Sequence, residues 1–368
     1  MNFDDSFPFY SFIDDSVKFR SFKVIKELDG HNYLTHTNCF KDIKQSDMDF
    51  ILSKIVGIPF IQRPFQKLED PEYYGVSNST NLRIPVQEGQ DLGAWLMRPK
   101  EKNDLPSSEE RWNFISSSHA ISKYSEKDAG ASNDPKIYLT EPDETAILYL
   151  HGNAETRSHG HRRGLYKKLL KLGFVVLAPD YRGYADSYGG FSFKASQNTM
   201  AMDAEKTFEF LKKHAHPDSK IIVWGHSLGT GITTTLAYNL KESNERPHAY
   251  VLESPFSSME DEVGTFQAAK GLNLVMDVNK IIKDSDLTFD STSFIPHIKE
   301  PIAILHAKDD WVVPYKLGEK LYTTALNNSC NVRFFDFEYH LGLGHENIYK
   351  AETFDDILKQ IMLMLKNC

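Results

Sequence analysis

The sequence has few cysteines: three in 368 residues, at Cys39, Cys330 and Cys368. They are odd in number and far apart, whereas a disulfide framework needs pairs and a zinc site needs closely spaced ligands. The cysteines therefore indicate neither, and a reducing compartment is the default expectation.

Long apolar segments and an excess of positive charge are also missing. Residues 1–5 (MNFDD) lack the basic start and the apolar stretch of a secretory signal. Residues 51–61 are the most apolar early stretch, but about eleven residues that include Lys54 are too short to cross a bilayer. A formal net charge of −9 argues against nucleic acid as a partner. We expect a protein that is cytoplasmic or peripheral to a membrane.

Short β-rich runs alternate with helical patterns from Glu144 onward. This alternation is typical of a parallel sheet with crossover helices, and it predicts an α/β fold whose mostly parallel central sheet is flanked by helices. The expected strands cover residues 146–150, 174–178, 221–224, 250–252, 302–305 and 332–335, and the expected helices cover about 162–172, 196–214, 228–241 and 353–365.

The rest of the chain divides by composition. Residues 81–99 read as a hairpin that opens the α/β domain over residues 81–368, and the polar residues 101–143 read as a long surface loop. The pattern breaks between residues 256 and 300, which we interpret as a lid inserted over one edge of the sheet. Residues 1–80 are an N-terminal extension that packs on the core or associates with a membrane.

A nucleophile elbow is the strongest chemical motif. The Gly-x-Ser-x-Gly segment around Ser227 follows a predicted strand and precedes a predicted helix, which is the setting that holds a serine in strained geometry above a sheet. Gly225 and Gly229 leave room for the strand and the helix to approach each other. The backbone N–H groups of Leu228 and Asn153 are the expected oxyanion donors. Ser227 is therefore the candidate nucleophile.

A serine nucleophile needs a base, which is commonly a histidine held by a carboxylate. Asp310 follows one of the last strands and His345 follows the next, so that the chain order Ser, Asp, His agrees with the order in this fold. Asp309 is the rival carboxylate and His340 the rival histidine.

Basic residues gather at the start of a helix close to the expected oxyanion turn. His159, His161 and Arg162 could receive an anionic head group there, because a helix start adds its own amide donors. A solvated helix face is the alternative. Asp180 and Arg182, further along, are expected to fix loops.

Five segments together resemble a known family: residues 148–154 (LYLHGNA), 180–183 (DYRG), 224–231 (WGHSLGTG), 252–256 (LESPF) and 304–314 (ILHAKDDWVVP). They are similar to the α/β-hydrolase domain-containing protein 12 family, lipases that cleave monoacylglycerols and lysophospholipids, lysophosphatidylserine in particular. The resemblance covers about residues 50–368. It implies the α/β-hydrolase fold, triad roles for Ser227, Asp310 and His345, and oxyanion roles for Asn153 and Leu228.

The start of the chain departs from that family. Well-known members carry an N-terminal transmembrane helix and face the lumen of the endoplasmic reticulum, whereas this sequence begins with no such helix. The membrane of the endoplasmic reticulum is therefore the alternative location. Asn78 and Asn327 head formal glycosylation sequons, which also occur by chance in cytosolic chains.

The sequence thus predicts a serine hydrolase that cleaves the acyl ester of a single-chain lipid, such as lysophosphatidylserine or a monoacylglycerol. The expected partners are this lipid and, peripherally, a membrane; no cofactor and no metal are expected. The same triad would also serve an acyl-protein thioesterase or a peptidase, and a catalytically silent scaffold of the same fold is the third hypothesis.

Overall fold

The computed structural model describes residues 26–28, 31–33, 67–99, 139–189, 193, 195–265, 282, 284, 286–328 and 330–366. The chain divides into two compact units, residues 1–48 and 49–368. In the first unit, strands β1 (Lys26–Leu28) and β2 (His31–Tyr33) pair antiparallel. Most of the predicted surface loop and the apolar residues 51–61 lie outside the described residues.

In the second unit the described residues form a sheet of eight strands: β3 (Ser79–Gln87), β4 (Gln90–Met97), β5 (Thr145–Leu150), β6 (Val175–Pro179), β7 (Lys220–His226), β8 (Ala249–Glu253), β9 (Ile302–Ala307) and β10 (Val332–Phe337). Their order in the sheet is β10-β9-β8-β7-β5-β6-β4-β3. Strands β5 to β10 pair parallel with their neighbours among themselves, whereas β3 and β4 form an antiparallel edge.

Helices cover both faces of this sheet, so its central strands are buried on both sides. The helices are α1 (Gly160–Lys171), α2 (Gln197–His214), α3 (Leu228–Asn239), α4 (Met259–Thr265), α5 (Ser291–Phe294), α6 (Tyr315–Asn327) and α7 (Phe354–Lys366). Helices α2, α3 and α6 share one apolar cluster with the strands, and α1 and α7 share the other.

The predicted fold class is confirmed, and each predicted strand and helix has a counterpart within a few residues. Local signals explain several bounds. Ser196 caps α2 and forms a reciprocal capping box with Thr199, which fixes the start of that helix. Gly89 supplies the positive φ of 69° in the turn of the β3–β4 hairpin.

The end of the predicted N-terminal extension packs on the sheet. Residues 67–78 belong to the second compact unit, with Leu68 and Val76 buried in its core. The indole of Trp95 in β4 donates a hydrogen bond of 2.7 Å to the carbonyl oxygen of Leu68. This part of the extension therefore packs on the core, which is one of the two arrangements predicted for it.

The region predicted as a lid contains helices α4 and α5 and a 3-10 helix at Ile295–His297 in its described part. Phe289 of this region packs in the same apolar cluster as α3. Among the helices that the structure describes, none combines the length and the apolar composition that crossing a membrane requires.

Close backbone packing surrounds the start of α3. A Cβ atom built on Gly229 would lie 2.0 Å from the carbonyl oxygen of Leu150, and one built on Gly225 would lie 2.3 Å from the carbonyl oxygen of Gly229. Strand β5, strand β7 and α3 therefore meet at distances that only glycine allows.

We expect Gly229→Ala to lower the free energy of unfolding by at least about 2 kcal/mol, because α3 must move away from a backbone carbonyl. Gly264→Ala is the matched control, since a Cβ there meets nothing within 4 Å and alanine favours the helix. Chemical unfolding of both variants measures the difference. Equal stability of the two variants would contradict the packing described here.

Candidate active site

Ser227 lies between β7 and α3 in a backbone conformation that residues other than glycine rarely adopt. Its φ is 53° and its ψ is −121°, which is a strained combination for a serine. The N–H of Ser227 donates to the carbonyl oxygen of Glu253 at 3.0 Å and so joins the turn to β8. The structure thus has the geometry of a nucleophile elbow at the predicted position.

Asp310 and His345 are brought together although 35 residues separate them in sequence. His345 Nδ1 and Asp310 Oδ2 are 2.8 Å apart and form a hydrogen bond. The other carboxylate oxygen, Oδ1, accepts from the backbone N–H groups of Val312 and Val313, both at 2.9 Å. These two donors fix the direction in which the carboxylate faces the imidazole.

The rival residues have different surroundings. Asp309 Oδ2 accepts from the backbone N–H of Gly344 at 2.9 Å, so this side chain fixes the loop just ahead of His345. His340 is exposed on a 3-10 helix at Tyr339–Leu341. The geometry therefore favours Asp310 and His345 over both alternatives.

The loop that carries His345 is attached directly to the elbow. His226 Nε2 lies 2.9 Å from the carbonyl oxygen of His345 and donates to it, and the two imidazole rings are 4.8 Å apart. His345 and Ser227 are therefore brought to the same end of the sheet. The described hydrogen bonds do not include one between Ser227 Oγ and His345, so the catalytic link between them remains a prediction.

Asp310 sets the proton affinity of His345. Burial favours the neutral imidazole, but the charge of Asp310 and its hydrogen bond outweigh burial and raise the pKa of His345 above its usual value. Burial likewise opposes the Asp310 carboxylate, while attraction to His345 and the hydrogen bond with His306 hold the pKa of Asp310 well below its usual range. The arrangement stabilises an imidazolium beside a carboxylate.

The predicted oxyanion turn lies against the serine. A Cβ built on Gly152 would be 3.1 Å from Ser227 Cβ, which is a tight contact, so glycine eases this approach. Asn153 follows directly, and its side-chain oxygen accepts from the hydroxyl of Tyr184 at 3.0 Å. The backbone N–H groups of Asn153 and Leu228 thus lie on segments that border Ser227; their catalytic role remains a prediction.

Arg162 binds the backbone of this turn, and its role at a head group stays a prediction. The side chain is 2% exposed. Its guanidinium donates to the carbonyl oxygens of Gly152 at 3.2 Å, Thr156 at 2.6 Å and Ala154 at 2.5 Å. Because its two terminal nitrogens bind backbone carbonyls, Arg162 supports the predicted oxyanion turn.

His159 and His161 are close together but lie beside an acid. Their Nδ1 atoms are 2.8 Å apart, and His161 Nδ1 is 3.4 Å from Glu346 Oε1. Burial lowers the pKa of His161 to about 4, so that imidazole is uncharged at neutral pH. With a carboxylate beside it and no charge of its own, His161 is poorly suited to attract an anion. Among the described residues, His159, His161 and Glu346 form the group whose side chains could together hold a metal ion.

Two buried carboxyl groups near the site were missed by sequence reasoning. Glu253 ends β8 opposite His226 and accepts from the indole of Trp224 at 2.8 Å, and burial raises the pKa of Glu253 to about 7. Glu262 on α4 has a buried oxygen without a partner among the described residues, and burial raises its pKa to about 8. An acidic residue at the end of an apolar strand was the available signal for Glu253.

An ion network fixes the loops after β5 and β6. Arg157, which was not predicted, forms an ion pair with Asp180 and hydrogen bonds with Asp186 at 2.7 Å. Arg182 contacts Asp203 at 2.6 Å. The prediction that Asp180 and Arg182 fix loops is confirmed by these contacts.

Known proteins are similar to this chain in sequence. Residues 141–293 match a family model described as serine aminopeptidase, S33. The lysophosphatidylserine lipase ABHD12 of Danio rerio is 33% identical over 324 residues, which cover 85% of this chain and 77% of that protein. Protein ABHD12B of Homo sapiens is 36% identical over 325 residues, which cover 85% of this chain and 80% of that protein.

Solved structures share the fold. An α/β hydrolase of Vibrio vulnificus superposes with a TM-score of 0.60 at 18% identity, over 88% of this chain and 95% of that one. An esterase of Pyrococcus furiosus superposes with a TM-score of 0.54 at 16% identity, over 85% of this chain and 97% of that one. The described sheet and its flanking helices thus have the α/β-hydrolase fold.

Replacing Asp310 with asparagine should lower the turnover number for an activated aryl ester by about 10⁴-fold. The backbone N–H groups of Val312 and Val313 would hold the amide oxygen, so the NH₂ group would face His345 Nδ1 and favour the wrong tautomer. Asp309→Asn is the matched control and should lose less than about tenfold, since an amide oxygen still accepts from Gly344. A larger loss of turnover in Asp309→Asn than in Asp310→Asn would make Asp309 the carboxylate of the triad.

The rate at which a fluorophosphonate labels the protein should fall as the pH drops through the pKa of His345. The imidazolium cannot accept the serine proton, so the reactive form exists only above that pKa. The raised pKa places the acidic midpoint above the ordinary histidine value, and Asp310→Asn should move it downwards because the attraction is lost. A midpoint that does not move in Asp310→Asn would show that Asp310 does not control this imidazole.

Proposed function

Since the chain belongs to the ABHD12 family of α/β-hydrolases, we propose that it hydrolyses the acyl ester of single-chain lipids, with lysophosphatidylserine and monoacylglycerols as the substrate class. The reaction is carboxylic ester hydrolysis. The observation that carries the assignment is the His345–Asp310 pair, which is attached to a strained serine elbow in a chain of this family.

The reaction proceeds through an acyl-enzyme. His345 takes the proton from Ser227 Oγ as this oxygen attacks the acyl carbonyl, and the imidazolium then protonates the leaving alcohol of the lipid. In the second half, His345 takes a proton from water as this water attacks the ester of Ser227, and the imidazolium then returns the proton to Ser227 Oγ as the C–Oγ bond breaks and the fatty acid leaves. Asp310 holds the tautomer of His345 and stabilises its charged form throughout. All bonds made and broken in this scheme belong to Ser227, His345, water and the lipid ester.

Backbone N–H groups stabilise the negative charge that develops on the acyl carbonyl oxygen during attack. The N–H of Leu228 is at the start of α3, where the helix dipole also favours negative charge. The N–H of Asn153 supplies the second donor from a turn that Arg162 holds by its carbonyls. The support from Arg162 keeps the donor in place before charge develops, which is what makes such a site effective.

A lipid substrate also favours contact with a membrane surface. Large apolar side chains are exposed on the loops that follow β9 and β10, at the same end of the sheet as Ser227: Trp311 is 71% exposed, Tyr339 73% and Leu341 48%. Tryptophan and tyrosine are enriched where proteins meet lipid head groups. We therefore expect these side chains to rest on the membrane that holds the substrate.

A peptidase or an acyl-protein thioesterase is the second candidate, because the family model that matches residues 141–293 is described as a serine aminopeptidase. Both reactions would use the same triad on a different acyl group. A silent scaffold is the third candidate and would need an unreactive Ser227, which the paired histidine and carboxylate argue against.

Ser227→Ala should lower hydrolysis of lysophosphatidylserine by roughly four to six orders of magnitude, since every covalent step is lost. Serine to alanine leaves the backbone strain unchanged, so the thermal midpoint should stay close to that of the parent protein. Mass spectrometry of the released fatty acid measures turnover. Retained hydrolysis in a folded variant would remove Ser227 from the mechanism.

The substrate class is tested with the same two proteins. The parent protein should have a higher kcat/KM on lysophosphatidylserine or a monoacylglycerol than on an S-acyl peptide or an aminoacyl anilide, and Ser227→Ala should abolish each reaction. A clear preference for the thioester or the anilide would make the second candidate the function.

A further inference from the structure

His159, His161 and Glu346 bring metal-ligating atoms together outside the triad. One potential ligand atom from each of the three residues lies within 4.8 Å of the others. His159 precedes α1 and His161 lies in its first turn, whereas Glu346 directly follows His345 in a different loop. The cluster therefore joins two segments that are far apart in sequence, one of which carries the catalytic histidine.

We propose that these three side chains form a binding site for a divalent transition-metal ion, with Zn²⁺ as the representative ion. Two imidazoles and one carboxylate are a common zinc ligand set, and such a set leaves a fourth position for water. The site is separate from the ester chemistry, which uses Ser227 and His345 without an ion.

Two of the three ligand-atom separations are close to those around an ion, whereas His159 and Glu346 are known to lie within 4.8 Å and have to come to about 3.5 Å. Bonds of about 2.0–2.2 Å at a tetrahedral zinc separate neighbouring ligand atoms by about 3.3–3.5 Å. His161 Nδ1 and Glu346 Oε1 are 3.4 Å apart, whereas the Nδ1 atoms of His159 and His161 are 2.8 Å apart and must separate by about half an ångström. The side chain of Glu346 is 44% exposed, so it is free to adjust and leaves a path for the ion.

The central ligand is held firmly in place. The imidazole of His161 is 7% exposed and packs on the ring of His226, with ring centroids 5.0 Å apart. His226 in turn donates to the carbonyl oxygen of His345. His161 Nε2 is buried without a hydrogen-bond acceptor among the described residues, whereas a metal-bound histidine usually has one. We therefore expect moderate affinity rather than that of a structural zinc site.

The ion would tie the start of α1 to the loop of His345. Because Glu346 is adjacent to His345, an ion shared with His159 and His161 restrains this loop against the segment beside the oxyanion turn. Anything that binds the folded chain in preference to the unfolded chain raises its thermal midpoint. Zinc should therefore stabilise the protein as well as bind to it.

The direct test is calorimetric titration of ZnCl₂ into the full chain, prepared without a histidine tag and stripped of metal. We expect one ion per chain, and at least about tenfold weaker binding for His159→Ala and for Glu346→Gln. His340→Ala is the matched control: it removes an exposed histidine outside the cluster and should bind as the parent does. Circular dichroism checks that each variant is folded.

Two further measurements, Co²⁺ absorption and Mg²⁺ competition, test the ligand geometry and the choice of metal. Co²⁺ in place of zinc should give the visible absorption of a tetrahedral site in the parent and in His340→Ala, and lose it in Glu346→Gln. Mg²⁺ should not displace the ion, because it prefers an all-oxygen shell. No ion bound to the parent, or equal binding and colour in all variants, would overturn the proposal and leave the lipid ester hydrolysis unaffected.

Discussion

The strained backbone of Ser227 is the constraint on which the rest of the site depends. A conformation of this kind costs on the order of 1–3 kcal/mol and persists only where the surrounding structure fixes it. Here β7 leads into the turn, α3 leads out of it, and the carbonyl of Glu253 accepts its N–H. Gly225 and Gly229 let these elements meet at backbone contact distance, so the position of the serine follows from packing of the sheet and helix.

The other parts of the site are loops that attach to this elbow. The predicted oxyanion turn lies against Ser227 and is held by Arg162, while the carbonyl oxygen of His345 accepts a hydrogen bond from His226, the residue just ahead of Ser227. Asp310 reaches the imidazole from the loop after β9. Buried ion pairs and charged hydrogen bonds of this kind contribute little net stability, because desolvation offsets the attraction. Their contribution here is to hold reacting groups in place before the substrate arrives.

The sequence predicts what is local and leaves open what depends on distant contacts. Ser227 could be predicted because a strand, a turn and a helix are contiguous around it. The prediction preferred Asp310 and kept Asp309 as its rival, because adjacent acids differ in the direction that the folded loop gives them. The sequence pattern predicts that Arg162 is an exposed base at a helix start. In the folded chain it is buried and donates to the carbonyl oxygen of Gly152, ten residues earlier. The contact between Glu346 and His161 could not be predicted, because folding brings together two loops that are far apart in sequence.

The central claim is that Ser227 is the nucleophile that His345 activates. The most direct measurement is to label the folded protein with a fluorophosphonate, digest it and locate the adduct by peptide mass spectrometry. The account predicts one adduct, on Ser227, which is absent from His345→Ala and from unfolded protein. An active preparation that carries the adduct on another residue, or that carries none, would contradict it.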